Sequence, residues 1–402
     1  MKKLPEEKVL RDPVHGYVRV NEEIIWRTMA TREFQRLRRI SHLGSVSKVY
    51  HCGEHSRFTH SLGVYEIVRR MVNEVRDLAE GLTDYEKVTV MLAGLLHDVG
   101  HAPFSHSFES IMQRKHEEYT VQLIAQDSEI NRLLKEYDEH LPQDVASVIT
   151  GTHPNVILCQ LVSSQLDADR MDYLLRDSFF TGTKYGEFDL ERILRTMRVA
   201  DKRVVIKESG MHTVEDYIMA RYHMYWQVYY HPVSRAYDAV MIKLFERLKD
   251  LYDQNPQMIV EKLPMYEALL SKKVMSNDEY FQLDDGTCLY SFQLMSRMDV
   301  EILADLAKRA LNRDLFASAD VDQLAQIRQK VLDAGYDEKY YLYVDQQHQN
   351  PYQPYSDHLS HSIWVLDEKG NINELSQVSR IVAAICYNSD SRDELVFYPK
   401  GV

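Results

Sequence analysis

Residues 88–106, VTVMLAGLLHDVGHAPFSH, open as an apolar helix and end in a dense group of imidazoles around one carboxylate. Met91, Leu92, Ala93, Leu95 and Leu96 are good formers of a buried helix, and Gly94 alone is out of character. Within one turn the character changes. His97 and Asp98 are adjacent, His101 follows four residues after His97 on the same face, and Gly100 and Pro103 end the helix so that His106 looks back. Such groups at the end of an apolar helix carry a desolvation cost that a divalent cation offsets. Each histidine taken singly reads more readily as a satisfied core residue, and it is the adjacency that points to a metal. Two further ligands would close a site of the kind that suits Mg, Mn, Fe or Zn, with positions left for water.

Composition bounds the search for those two groups. The 402 residues suggest one large domain plus an appendage, or two domains, and 45% hydrophobic with 27% charged residues is ordinary for a soluble globular chain. No run of 18 apolar residues occurs, and MKKLPEEKVL lacks an apolar segment after its lysines, so neither a membrane span nor a signal peptide is expected. Cys52, Cys159, Cys288 and Cys386 lie far apart, as free thiols in a reducing cytoplasm would. A formal charge of −13 disfavours stable binding to nucleic acid or an acidic membrane, so any anionic substrate needs locally gathered arginines.

Taken in order, residues 11–20, RDPVHGYVRV, predict a turn leading into a short strand, and residues 22–40 a helix with Ile24, Ile25, Met29, Phe34, Leu37 and Ile40 as its apolar stripe. The other face of that helix is basic, with Gln35 and Arg38 within RxxQRLRR; a solvated face is the plainer reading, a phosphate-accepting patch the other. After an irregular stretch over 42–57, a helix opens at Arg57 and runs to about residue 78, placing His60 near its start as a third ligand candidate and Arg57 beside whatever the metal holds. Residues 107–126 continue helically with Glu109 and His116, groups for proton transfer if they face the cavity and unremarkable surface residues if they do not. The fourth ligand comes from residues 161–178, where Asp169, Tyr173 and Asp177 recur every four residues along one helix face, with Arg170 beside the first.

His60, His97-Asp98 and Asp169 in this order resemble the H…HD…D signature of HD-domain metal-dependent phosphohydrolases. RDPVHGYV, FQRLRRISHLG, HSRFTHSLGV, LLHDVGHAPFSH, KHEEYT and LDADRMDYLLRD resemble one branch in particular, the deoxynucleoside triphosphate triphosphohydrolases, in order across roughly residues 10–235; the last third resembles it only weakly. The resemblance implies that His60, His97, Asp98 and Asp169 bind a divalent metal, Mg or Mn, with Zn, Fe, Ni or Co as further options. It implies that His106 serves the α-phosphate reaction centre with His101, Glu109 and His116 around it. It implies that Arg57 and Arg170 hold the triphosphate, that Tyr173 and Asp177 lie near the sugar where the ribose 2′-hydroxyl is rejected, and that Arg221 and Tyr229 complete the pocket.

Two departures qualify the transfer. Relatives carry Gln before Leu-Gly where this chain has His42-Leu43-Gly44, a position that contacts sugar and base, and the Asp that selects guanine in the vertebrate relative corresponds to Ala30. Gln35 and Arg38, retained, are the positions implied for an activating nucleotide, and the family implies a homotetramer. The expectation is therefore a mainly α HD-domain core over residues 1–250 and a smaller α+β region over 251–402 for oligomerisation or regulation. Strands are expected over 339–344, 362–366 and 395–398, with a polar loop over 346–354. The expected reaction is dNTP to deoxynucleoside and triphosphate; an HD phosphohydrolase of another phosphoester and a non-catalytic nucleotide sensor stay open.

Overall fold

The computed structural model describes residues 2–104, 108, 114–271, 275–348, 352, 354, 362–387 and 392–402. It is mainly helical, with small sheets and an α+β part late in the chain. The chain opens on a hairpin, β1 (Lys3–Asp12) and β2 (Gly16–Glu22), where the sequence suggested one strand. Gly16 supplies the positive φ of the turn, and the Asp12 carboxylate accepts the Val14 and His15 N–H groups.

The helix expected over 22–40 is broken. It ends as α1 (Glu23–Ala30) because Thr31 is extended, resumes as α2 (Arg32–Arg36), and tightens into a 3-10 turn over Leu37–Arg39. The Thr31 hydroxyl donates to the Thr28 carbonyl, a local bond that competes with the helical ladder. Its apolar stripe is buried all the same, but its basic face is not uniformly solvated: Arg36 is 1% exposed.

The first core is built around α3 (Arg57–Glu74), which ends four residues earlier than expected because Val75 is extended. Packed on it are α4 (Asp84–Leu96), begun by a reciprocal Thr83–Glu86 capping box, and α7 (Ala168–Thr181). Between them in sequence lie α5 (His116–Ala125) and α6 (Val156–Val162). The helix expected over 161–178 is thus two, because Asp167 leaves the helical path and its side chain accepts the Arg170 N–H to cap α7.

Two glycines set how closely these helices approach. A Cβ on Gly94 would lie 2.9 Å from Val68 Cγ2, and one on Gly63 only 1.9 Å from Asp172 Oδ1. Glycine inside a helix costs about 1 kcal/mol against alanine. Here that cost is offset by contacts no other residue permits.

After α8 (Met211–Met224), residues Tyr225–Tyr229 form a π turn, and α9 (Pro232–Gln254) restarts at a proline and ends before Asn255-Pro256. A second core forms around α9 with α10 (Asp285–Met295) and α11 (Glu301–Asn312).

Sheet β3 (Met197–Ala200), β4 (Arg203–Lys207), β7 (Trp364–Leu366), β8 (Ile372–Glu374) returns the late chain to the first core, with β7 parallel to β4. A three-stranded sheet, β5 (Ala317–Asp320), β9 (Arg392–Tyr398) and β6 (Tyr343–His348) in that order, packs on the second. The strand expected over 339–344 begins instead as a helical turn over Glu338–Tyr341. The expected loop over 346–354 continues β6 through residue 348; residues 349–351 and 353 lie outside the described residues. No described helix is long and apolar enough to cross a membrane.

Candidate active site

The first turn of α3, the end of α4 and the first turn of α7 bring His60, His97, Asp98 and Asp169 together. His60 Nε2 lies 3.1 Å from Asp169 Oδ1 and 3.3 Å from His97 Nε2, and His97 Nε2 lies 3.4 Å from Asp98 Oδ1. His60, His97 and Asp98 are buried; Asp169 is the open member, with 30% of its side chain exposed toward a cavity.

Both imidazoles have their tautomer set from behind. A backbone carbonyl only accepts, so the 2.9 Å contact of His97 Nδ1 with the Gly94 carbonyl places the proton on Nδ1. His60 Nδ1 likewise donates to Asp172 Oδ2 at 2.8 Å. The two Nε2 lone pairs therefore face each other and two carboxylates. Such an arrangement is repulsive until a proton or a cation enters it, and neutral imidazole with carboxylate is a donor set that fits a divalent metal.

The electrostatics of the bare cluster agree. Burial pushes His60 down, but hydrogen bonds to Asp169 and Asp172 outweigh it and raise its pKa to about 10; His97 is raised against burial chiefly by the Asp98 charge. Against the upward push of burial, His97 and Arg57 hold Asp98 well below the carboxylate range, and hydrogen bonds from His60 and His97 lower Asp169. Protons thus gather where a cation would sit, and cation binding would release them.

Asp172 is a residue of this cluster that the sequence reading passed over. Fully buried, it accepts from His60, from His15 Nε2 at 2.6 Å and from Arg176 at 2.8 and 3.0 Å, and Arg176 is held in turn by Asp12 at 2.9 Å. Its position three residues after Asp169 was a usable signal, since helix positions three apart are neighbours.

Arg57 pairs with Asp98, and His101 Nε2 meets Asp98 Oδ1 at 3.2 Å although α4 has already ended, so a turn and not helical periodicity brings it there. The His101 ring stacks on His116 at 3.7 Å, and burial pushes the His101 pKa well below its ordinary value. His106 and Glu109 lie outside the described residues.

A cavity of about 470 Å³ joins this end to a second group of side chains. His42, Leu43, Tyr173, Asp177 and Tyr229 line it together with Arg57, His60, Asp98, Asp169, His101 and His116. Asp177 Oδ2 accepts the Tyr229 hydroxyl at 2.7 Å and Oδ1 accepts His55 Nε2 at 2.9 Å. The Tyr173 ring meets Tyr229 edge-on at 6.1 Å, and burial lowers His42 well below its ordinary pKa. His55 had no local signal in its loop.

The predicted arginines differ in their surroundings. Arg170 turns back to pair with Asp167 and the Ser164 carbonyl. Arg221 is buried beside Tyr225 with Nε and Nη1 lacking hydrogen-bond partners, an arrangement an anionic ligand would complete. Gln35 and Arg38 sit outside the cavity: Gln35 bonds the Met29 carbonyl and the Arg38 guanidinium, whose Cζ lies 3.6 Å from the Phe58 ring centre.

Comparison with known proteins gives this geometry a context. The HD domain family matches residues 57–177 and the HD associated region matches 188–263. YwfO of Bacillus subtilis, an uncharacterised protein, is 44% identical over all of this chain and 94% of its own length. The deoxynucleoside triphosphate triphosphohydrolase SAMHD1 homolog of Dictyostelium discoideum is 26% identical over 78% of this chain, which spans 60% of that protein. The crystal structure of a phosphohydrolase from Bacteroides thetaiotaomicron superposes with a TM-score of 0.83 at 28% identity, covering 98% of this chain and 100% of that one.

Proposed function

This chain belongs to the HD-domain family of dNTPase-like phosphohydrolases, and from that premise we propose that it hydrolyses deoxynucleoside triphosphates to deoxynucleoside and inorganic triphosphate. The observation that carries the reading is the single cavity in which the His-Asp cluster and the Asp177–Tyr229 pair face the same space, one end suited to a metal and phosphates and the other to a sugar hydroxyl.

In this reading His60, His97, Asp98 and Asp169 hold a divalent ion, with Mg and Mn the first to try. An ion held by these residues would supply neutralisation of the phosphoryl oxygens and a lowered pKa for a water, so that hydroxide is available as the nucleophile. Arg57, which pairs with Asp98 and lines the cavity, would face the α-phosphate; Arg221 is not among the lining residues, and its buried, unpartnered nitrogens would meet the remaining phosphates only after a side-chain rearrangement. The water oxygen joins the α-phosphorus, the bond to the 5′-oxygen breaks, and that oxygen leaves with a proton. His101, kept neutral by burial and stacked on His116, is the described group placed to pass protons. Tyr173, Asp177 and Tyr229, which line the far end of the cavity together, would wall the sugar and reject a ribose 2′-hydroxyl.

Regulation belongs to the same reading. A nucleotide bound at Gln35 and Arg38 would press on Phe58, the residue next to Arg57, and the region after residue 250 would join subunits into a homotetramer. Product analysis with purified protein, Mg or Mn, each dNTP and rNTP singly and in mixtures tests the proposal. Deoxynucleoside plus intact triphosphate from dNTPs alone is expected. Monophosphate or orthophosphate would mean a different HD chemistry, and nucleotide binding without turnover in every mixture would mean a sensor.

A further inference from the structure

The loop that carries the chain away from His97 and Asp98 is held from three other elements. The Thr120 hydroxyl on α5 donates to the His97 carbonyl at 3.1 Å and accepts the Gly100 N–H at 3.0 Å. The Tyr280 hydroxyl, on the short helix Asn277–Phe281, donates to the Gly100 carbonyl. Arg36 of α2 donates from Nη1 to the His101 carbonyl at 2.7 Å and from Nη2 to the Leu283 carbonyl. The Tyr280 ring is stacked on Tyr119 at 4.0 Å, and the Arg36 guanidinium lies 4.8 Å from its centre.

Arg36 is an unusual residue to bury. It is 1% exposed, its Nε has no hydrogen-bond partner, and no carboxylate among the described residues comes within ion-pair distance. A buried guanidinium that no carboxylate contacts directly is expensive even with the Asp284 and Asp285 charges nearby, and an apolar side chain of similar volume would fill the space without that expense. What only the guanidinium does is join two carbonyls from different parts of the chain, one of them on the loop whose next side chain, His101, meets Asp98 at 3.2 Å.

We propose that Arg36 and Tyr280 are positioning residues for the metal end of the site: by holding the carbonyls of His101 and Gly100 they aim His97, Asp98 and His101. The segment 277–283 lies beyond the residues matched by the HD domain and its associated region, so part of what shapes the site comes from the late chain. This inference rests on the reading of His97 and Asp98 as metal ligands.

Mn2+ alone, titrated by electron paramagnetic resonance into the full chain, is the probe, beside thermal unfolding. Tyr280→Phe, which removes one oxygen, is expected to weaken Mn2+ about ten-fold while still unfolding cooperatively, in the range found for residues that orient metal ligands. Arg36→Lys keeps the charge but replaces the planar fork, whose two nitrogens each serve one carbonyl, by a single nitrogen on a shorter side chain, and should weaken it at least as much. His97→Ala should abolish binding; retention there would overturn the metal reading itself. If His97→Ala loses Mn2+ but Tyr280→Phe stays within about two-fold of the parent, whatever its Tm, the two residues are only structural and the proposal falls. Should Arg36→Lys fail to fold, Tyr280→Phe decides alone.

Discussion

The two ends of the cavity are built from the same materials and arranged in opposite ways. At one end His60, His97 and Asp169 place their ligand atoms within 4.8 Å of one another, and at the other His42, His55 and Asp177 do the same. In the first group each histidine spends Nδ1 on an acceptor behind it, Asp172 or the Gly94 carbonyl, so the lone pairs point inward. In the second, His55 turns its N–H toward Asp177 and Tyr229 adds its hydroxyl, so donors already occupy both carboxylate oxygens. The first group is left with inward lone pairs that suit a cation, and the second is satisfied by its own hydrogen bonds. Ligand types alone do not make a metal site; the direction of the lone pairs does.

The largest expected effect tests that direction. Asp172→Asn removes the charge that orients His60, and Mn2+ affinity is expected to fall about 10- to 100-fold, measured by titration. An unchanged affinity would break the comparison, since His60 would then need no support. A smaller effect belongs to the other end. Tyr229→Phe deletes one hydrogen bond to Asp177, worth about 1 kcal/mol, so steady-state kinetics should show KM for the preferred nucleotide rising roughly five-fold with Mn2+ affinity unmoved. Lost Mn2+ affinity in that variant would make the Asp177 cluster a second cation site. Thr83→Ala, at the start of α4 and far along the helix from His97, should cost about 1 kcal/mol of stability in denaturant titration and leave both ends intact. A site effect there would mean that overall stability, not local geometry, governs the metal end.

The parts of the site that were legible share a physical origin. His97-Asp98 stood out because polar groups interrupt an apolar helix, and Asp169, Tyr173 and Asp177 share a face because helical spacing is local; all three line the cavity. The helix breaks at Thr31 and before Asp167 were missed because a side chain competing with the backbone ladder changes the path without changing the apolar pattern. Arg36 was misread for a related reason: a basic face resembles a solvated one until the segment after residue 276 covers it.

Read alone, the sequence determined the family and offered the candidate ligand types and their order, since each is written in residues close together in the chain. Only the tertiary structure decided which carboxylate stands open to the cavity and which backs His60, which way each imidazole presents its lone pair, and which arginine faces the cavity. His60 meets Asp172 across 112 residues, His55 meets Asp177 across 122, and Arg36 meets Leu283 across 247. Contacts at such separations leave no periodic trace, because they are set by how closely helices pack, as Gly63 against Asp172 allows, and not by the spacing along any one of them.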